Sequence, residues 1–366
     1  MLLQTLKSVC WDAVPPKIQV ELTLFNKTNL RRNLVFTGEL LQLVALFQQN
    51  AIPIAALKGP VLAHSIYGHI SLREFSDLDV VVNEADLCKA ESILTARGYQ
   101  ADFADRDYRS AFLSYQGQYA FRHPETEISV DLHWRLSDNL RSAEIWSRLE
   151  QVTIAGRTIS TLAHDDLTLF LAAHGTKEGW RDLIWVCDFA EVLRNCSDVD
   201  WGAVLDRARR VHCSRQLLLA IFLATSLLDA PAPVELIDKA RNDSAIQSLA
   251  KKAQLRMLRS APEGELAEFL NGLNTDDRLT QRLRRVVISL TTRTVGDYKA
   301  MPLPKSFWGL YYFIRPLRLA GKLPETIRQF NYGVRRNAER VSATNPQLAR
   351  AGSASTPYVV SNNRDN

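Results

Sequence analysis

Two aspartates stand two residues apart in Ser76-Asp77-Leu78-Asp79-Val80-Val81-Val82, a run otherwise built of strand-forming residues. Successive side chains of a strand alternate faces, so the two carboxylates point the same way, about 6–7 Å apart. Two like charges this close need a partner, because burying an unpaired carboxylate is costly. That partner is water, a Lys or Arg cation, or a metal ion. A third acid, Asp131, lies between Val130 and Leu132 in a similar setting. Three oxygen ligands held on rigid strands suit a hard cation. Mg2+ comes first, since it keeps several waters and is completed by substrate phosphates. Lys58-Gly59 follows the apolar run 51–57, and Arg73 lies upstream of the acids. A glycine after a strand lets a phosphate approach the backbone, and a nearby Lys or Arg neutralises its oxygens.

Each signal also has a plainer reading. Asp77 and Asp79 could cap a turn or form a surface ion network with Arg73 and Lys58, and a single strand acid such as Asp131 ordinarily faces solvent. His133 shares the face of Asp131 and either assists the site or is a hydrogen-bonded structural histidine. His174 and Lys177 close a helix, where cations are favoured by the helix dipole.

The elements that must position these residues are legible from periodicity. Roughly the first 50 residues read as helical, with 37–50 the clearest amphipathic segment. Residues 51–57 read as a buried strand, 60–70 as helical with Val61, Leu62, Ile66 and Tyr67 on one side, and 76–82 as a second strand. Segment 84–99 has helical spacing, with Gly98 as its stop. Residues 111–123 and 128–136 alternate and read as a hairpin: Leu113, Tyr115, Tyr119 and Phe121 on one face of the first, Ile128, Val130, Leu132, Trp134 and Leu136 on one face of the second. From about residue 164 the strand signals largely stop, and seven segments from 164 to about 290 carry 3.6-residue spacing. Residues 308–324 mix aromatics with Arg315, Arg318 and Lys322. They read as a helix packing back on the protein, with a membrane-surface helix as the alternative.

Composition excludes several classes. Lys plus Arg number 45 and Asp plus Glu 40, interspersed along the chain, so the net charge of +5 does not mark a nucleic-acid binder. No basic, aromatic-interleaved groove for a template is expected. Five cysteines without a Cys-x-x-Cys pair fit neither a disulfide framework nor a zinc site. A reducing cytoplasm is the expected compartment. No signal peptide is read at the N-terminus, and the longest apolar stretch, 217–228, is too short to span a bilayer.

In their order, Leu57-Lys58-Gly59, then Arg73-x-x-Ser-Asp-Leu-Asp-Val-Val-Val, then Val130-Asp131-Leu132-His133-Trp134, these residues resemble the DNA polymerase beta nucleotidyltransferase superfamily. More narrowly, they resemble its bacterial group of uncharacterised nucleotidyltransferases. The resemblance runs over about residues 35–320 and takes in 164–175, the Trp180-x-x-Leu-x-Trp segment and Asp200-Trp201. Asp77, Asp79 and Asp131 match the three acids of the pattern and Gly59 its first glycine. Pro60 stands where Gly or Ser is usual, and 17 residues separate Gly59 from Asp77, somewhat more than in typical members.

The resemblance implies an α+β fold, a mixed-sheet polymerase-beta-like nucleotidyltransferase domain followed by an all-helical domain. The division expected is an N-terminal helical segment (1–35), the catalytic domain (36–160), the helical domain (161–325) and a flexible tail (338–366). The implied reaction moves a nucleoside monophosphate from an NTP, expected to be ATP, to a hydroxyl of a small molecule or protein, releasing pyrophosphate. Asp77, Asp79 and Asp131 would hold two Mg2+ ions, with Mn2+ as a substitute, and Asp131 would double as general base. Lys58, Gly59, Arg73, Ser76, His174 and Lys177 would bind nucleotide, with Trp180 beside them. The alternatives are a non-catalytic nucleotide-binding scaffold and a γ-phosphotransferase. Asn at position 77 or 79 is expected to abolish turnover while leaving the fold intact or more stable.

Overall fold

The computed structural model describes residues 1–101, 117–136, 145–258, 273, 275, 279–292, 295–319 and 321. The first half of the 111–123 segment and the tail beyond 338 lie outside these residues.

A short helix α1 (Leu2–Val9) precedes the long helix α2 (Pro16–Gln49). There follow β1 (Ile54–Ala56), α3 (Pro60–Ser65), β2 (Asp77–Val82), α4 (Leu87–Ala96), β3 (Gln100–Ala101), β4 (Gln118–Arg122), β5 (Ser129–His133), β6 (Glu150–Ile154) and β7 (Arg157–Thr161). Among the described residues the seven strands form one mixed sheet, in the order β3-β4-β5-β2-β1-β7-β6. Its centre is β2, parallel to β5 on one side and antiparallel to β1 on the other. Helices α5 (His164–Lys177), α6 (Leu183–Asn195), α7 (Trp201–Arg210), α8 (Ser214–Leu228), α9 (Val234–Asn242), α10 (Ser244–Met257), α11 (Leu279–Thr291) and α12 (Val295–Ala300) complete the order. The fold is α+β.

Strand alternation divides the core in two. Ile54, Ala56, Leu78, Val80, Val82, Val130 and Leu132 pack with Phe36, Leu40, Leu43 and Phe47 of α2 on one face of the sheet. Ala55, Leu57 and Val81 pack on the other face, in a core shared with α5, α6 and α8. Asp77 and Asp79 share the parity of Val81, so the acids lie on the face that looks toward the helical half.

The hairpin β6–β7 had no counterpart in the sequence reading. Its turn, Ala155-Gly156, has positive φ at both residues (49° and 76°), the conformation that matches strand twist in two-residue hairpins. The usual signal, Asn-Gly or Asp-Gly, is missing, although Val152, Ile154 and Ile159 alternate with polar residues. Residues 305–310 form a 3-10 turn that runs into a helix over 311–319. Arg315 and Arg318 turn inward to the buried Asp297 at 2.6 and 2.7 Å, while Phe313 and Leu317 are exposed. No helix among the described residues is long and apolar enough to cross a membrane.

Trp180, expected beside the ligand, is core. It is 1% exposed and packs on Gly175 of α5. A Cβ at Gly175 would lie 2.6–2.7 Å from three atoms of the indole. Gly175→Ala is expected to lower stability by about 1–3 kcal/mol through overpacking, read as a drop in the thermal midpoint. An unchanged midpoint would show that the indole has room to move.

Candidate active site

The parallel register of β2 and β5 sets Asp79 directly opposite Asp131, and Asp77 opposite Ser129. Asp79 is the hub. It is 4% exposed, its Oδ2 lies 3.2 Å from Lys58 Nζ, and its Oδ1 lies 3.1 Å from His133 Nε2. Lys58 follows β1, whose antiparallel pairing with β2 continues in the bond from the Leu57 N–H to the Asp79 carbonyl at 2.9 Å. Lys58 also lies 3.3 Å from His174 Nε2, so the helical half closes over the same cation. Around Asp131, Gln118 Nε2 donates to Oδ2 at 3.0 Å, and Lys177 Nζ donates to Gln118 Oε1 at 3.1 Å.

Electrostatics sort the groups. Burial would raise the pKa of Asp79, but the Lys58 charge and the His133 hydrogen bond overcome it and hold the carboxyl well below its usual range. Asp77 is pushed up to about 6 by burial and then by the charge of Asp79. Asp131 is raised by the same two causes. His174 is driven well below its ordinary value by burial and by Lys58, so its neutral Nε2 accepts from the ammonium.

The sign of the Asp77 shift has a measurable consequence in the metal-free protein. The folded state keeps this proton to about pH 6, while the unfolded chain releases it near 3.8. Between these values the folded state binds more protons, so stability falls as pH rises through the window. Asp77→Asn removes that loss. Urea midpoints of variant and parent are expected to diverge in favour of the variant from acidic to neutral pH; a constant gap would contradict the shift.

Gly59 explains the turn. Its φ and ψ are 63° and −126°, a conformation closed to side chains without strain, and a Cβ there would stand 3.4 Å from the Asp77 carbonyl oxygen. Pro60 occupies the first helical position of α3, where its fixed φ is suited and its missing N–H costs no bond. The turn thus keeps its shape, while position 60 has no amide to offer a phosphate.

Arg73 has a different place from the one expected. Its Nε and Nη2 both donate to Asp188 of α6 at 2.7 Å, and Tyr67 donates its hydroxyl to the same carboxylate at 2.7 Å. Asp188 is 0% exposed. Asn33 of α2 donates to the carbonyls of Ile70 and Arg73 at 2.6 and 2.7 Å, fixing the loop from behind. The guanidinium therefore ties the loop before β2 to the helical half. Ser76 is exposed and is the residue just before β2. Asp188 was missed in the sequence reading because an acid within an amphipathic helix pattern looks like an ordinary polar position.

The donor set fits a divalent cation. Ligand atoms of Asp79, Asp131 and His133 lie within 4.8 Å of one another. This group of three contains His133 where the sequence reading placed Asp77, which stands on the same face two residues before Asp79.

No curated protein matches the chain. Among solved structures, a lincosamide antibiotic adenylyltransferase, LnuA, with lincomycin bound is 16% identical, with a TM-score of 0.31 over 42% of this chain and 94% of that one. The antibiotic-resistance factor ANT(2'')-Ia is also 16% identical, with a TM-score of 0.30 over 60% and 95%. The model of the uncharacterised nucleotidyltransferases matches residues 1–229, well over half of the chain. With the acids, the Lys-Gly turn and the Asp-Leu-His-Trp strand inside that span, the chain belongs to the uncharacterised nucleotidyltransferase family.

Proposed function

We propose that the chain transfers a nucleoside monophosphate from an NTP to a hydroxyl of a small molecule or protein, releasing pyrophosphate, in a divalent-metal-dependent reaction. The observation that carries this reading is the pairing of Asp79 with Asp131 across β2 and β5, with Asp77 on the same face and Lys58 bonded at the centre. Such an array is of little use to a structural sheet, since it concentrates three carboxylates that burial and mutual repulsion disfavour.

Asp77, Asp79 and Asp131 would hold the metal, which when bound supplies charge neutralisation at the phosphates and lowers the pKa of the attacking hydroxyl. Asp131 would take the hydroxyl proton, a role supported by Gln118, which donates to its Oδ2 and so fixes the carboxylate plane. Lys58 and Lys177 supply positive charge for the departing pyrophosphate. Lys58 does so from a buried, preorganised position that costs little reorganisation. Arg73 serves the site through position alone, holding the loop before β2 against Asp188.

The test is incubation of the protein with each labelled NTP, Mg2+ and cell extract, with mass analysis of whatever acquires the label and assay of the released product. Pyrophosphate with a nucleotidylated acceptor is the expected result. Release of NDP would mark a γ-phosphotransferase, and no product with any NTP would leave a binding protein.

A further inference from the structure

Resting on the metal-dependent reading above, we propose that His133 is a protein ligand of the catalytic cation. The centre is then a mixed nitrogen–oxygen site in which His133 joins the carboxylates of Asp79 and Asp131, with Asp77 beside them on the same face, and it takes a first-row transition ion such as Mn2+ in preference to Mg2+.

Three observations converge. First, Asp131 and His133 are two residues apart on β5 and face the same side, and Asp131 is in register with Asp79. Three donors on adjacent central strands are thereby held by the sheet itself. Second, His133 Nε2 stands 3.1 Å from Asp79 Oδ1. Neighbouring ligands of an octahedral ion with bonds of about 2.1 Å lie about 3 Å apart, so this pair already has the spacing of adjacent coordination positions. Third, Lys58 holds the other oxygen of Asp79 at 3.2 Å. That bond turns Oδ1 toward the imidazole and leaves the carboxylate suited to one-oxygen ligation while Oδ2 stays with the ammonium.

Nitrogen ligation requires the proton on Nδ1, so Nε2 gives up the hydrogen bond to Asp79 and presents a lone pair in its place. The chemistry of the donors then sets selectivity. Mg2+ favours oxygen ligands and retained water, whereas imidazole suits ions such as Zn2+ and Fe2+ best; Mn2+ shares the oxygen preference of Mg2+ but as a first-row transition ion accepts a nitrogen donor more readily, and it is the spectroscopic probe. A histidine serving only to orient Asp79 would leave an oxygen-only site.

The experiment uses the full chain with Mn2+ alone, without nucleotide, so that no base nitrogen contributes. Electron spin-echo envelope modulation of bound Mn2+ is expected to show coupling to one histidine nitrogen, which changes character on 15N-histidine labelling. Competition should place Mn2+ at least about 10-fold tighter than Mg2+. His133→Gln should lose the nitrogen coupling and weaken Mn2+ about 10- to 100-fold, with Mg2+ affected far less. His174→Gln should keep the coupling, which separates the two histidines even where His133→Gln does not fold.

Bound Mn2+ without nitrogen coupling, beside intact Mg2+-dependent pyrophosphate release, overturns the histidine ligand and leaves the enzyme reading standing. Coupling lost in His174→Gln assigns the nitrogen elsewhere and overturns it equally. Absence of Mn2+ binding to the nucleotide-free protein overturns the histidine ligand, while the enzyme reading falls only if no metal-dependent pyrophosphate release is found with any NTP.

Discussion

Asp79→Asn is expected to reduce pyrophosphate release by a factor on the order of 10³ or more and, in the same protein, to lower folding stability by about 3–5 kcal/mol. The two losses have different origins. The first follows from removing the charge that two strands and a lysine are arranged around. The second follows because Lys58 is only 8% exposed and takes its carboxylate partner from Asp79. An amide in place of Asp79 leaves a buried ammonium facing a neutral group and the neutral His174. This corrects the expectation that relief of repulsion would spare or stabilise the fold at both acids. That argument holds for Asp77, whose carboxyl is raised by its neighbours, and fails for Asp79, which is stabilised by its cation. Urea unfolding and a pyrophosphate assay on both variants check it. Asp79→Asn unfolding at the parent's midpoint would mean that Lys58 and Asp79 are not energetically coupled. A Lys58→Met/Asp79→Asn double variant should recover part of the stability and none of the activity, since coupled sites are non-additive.

Arg73→Met should cost about 3–5 kcal/mol by stranding a fully buried carboxylate, and Asp188→Asn a comparable amount. The pair lies between the loop before β2 and helix α6, with both guanidinium bonds at 2.7 Å and the Tyr67 hydroxyl as a third partner. Burial would lower the Arg73 pKa, but the Asp188 charge and bonds raise it instead, so the guanidinium stays charged. Replacing both members, Arg73→Met with Asp188→Leu, should return most of the loss, because an apolar pair of similar volume needs no counter-ion. Unfolding free energies of the parent, Arg73→Met, Asp188→Leu and the double variant give the coupling energy. The KM for NTP separates this account from the sequence-based one. A structural bridge predicts that folded Arg73→Met keeps its KM within a few-fold. A large rise in KM with unchanged stability would return Arg73 to the triphosphate.

The three acids, Lys58 and Gly59 were identifiable because their chemistry is local: an Asp-x-Asp on a strand declares a shared face whatever surrounds it. Most element types were legible for the same reason, since burial of one face imposes a period of 2 or 3.6 on the residues themselves. The β6–β7 hairpin escaped because Ala155-Gly156 lacks the usual turn residues while adopting their conformation. Residue order alone sets Arg73 beside the acids and so beside a phosphate. Its true partner lies 115 residues away.

Residue order determined the chemistry on offer: carboxylates on central strands, a lysine delivered by a strand into a glycine turn, and a histidine two residues after the third acid. Those follow from side-chain type and strand parity, which are properties of neighbours in the chain. Tertiary structure decided the division of labour among them. Which acid takes the lysine depends on the antiparallel register of β1 with β2, and that Asp79 faces Asp131 depends on the parallel register of β2 with β5. That Arg73 belongs to Asp188 and His174 to Lys58 depends on where the helical half packs. Charge pairing is settled by distances of a few ångströms between segments far apart in sequence, and at such distances a single partner decides whether a buried charge stabilises the fold or strains it.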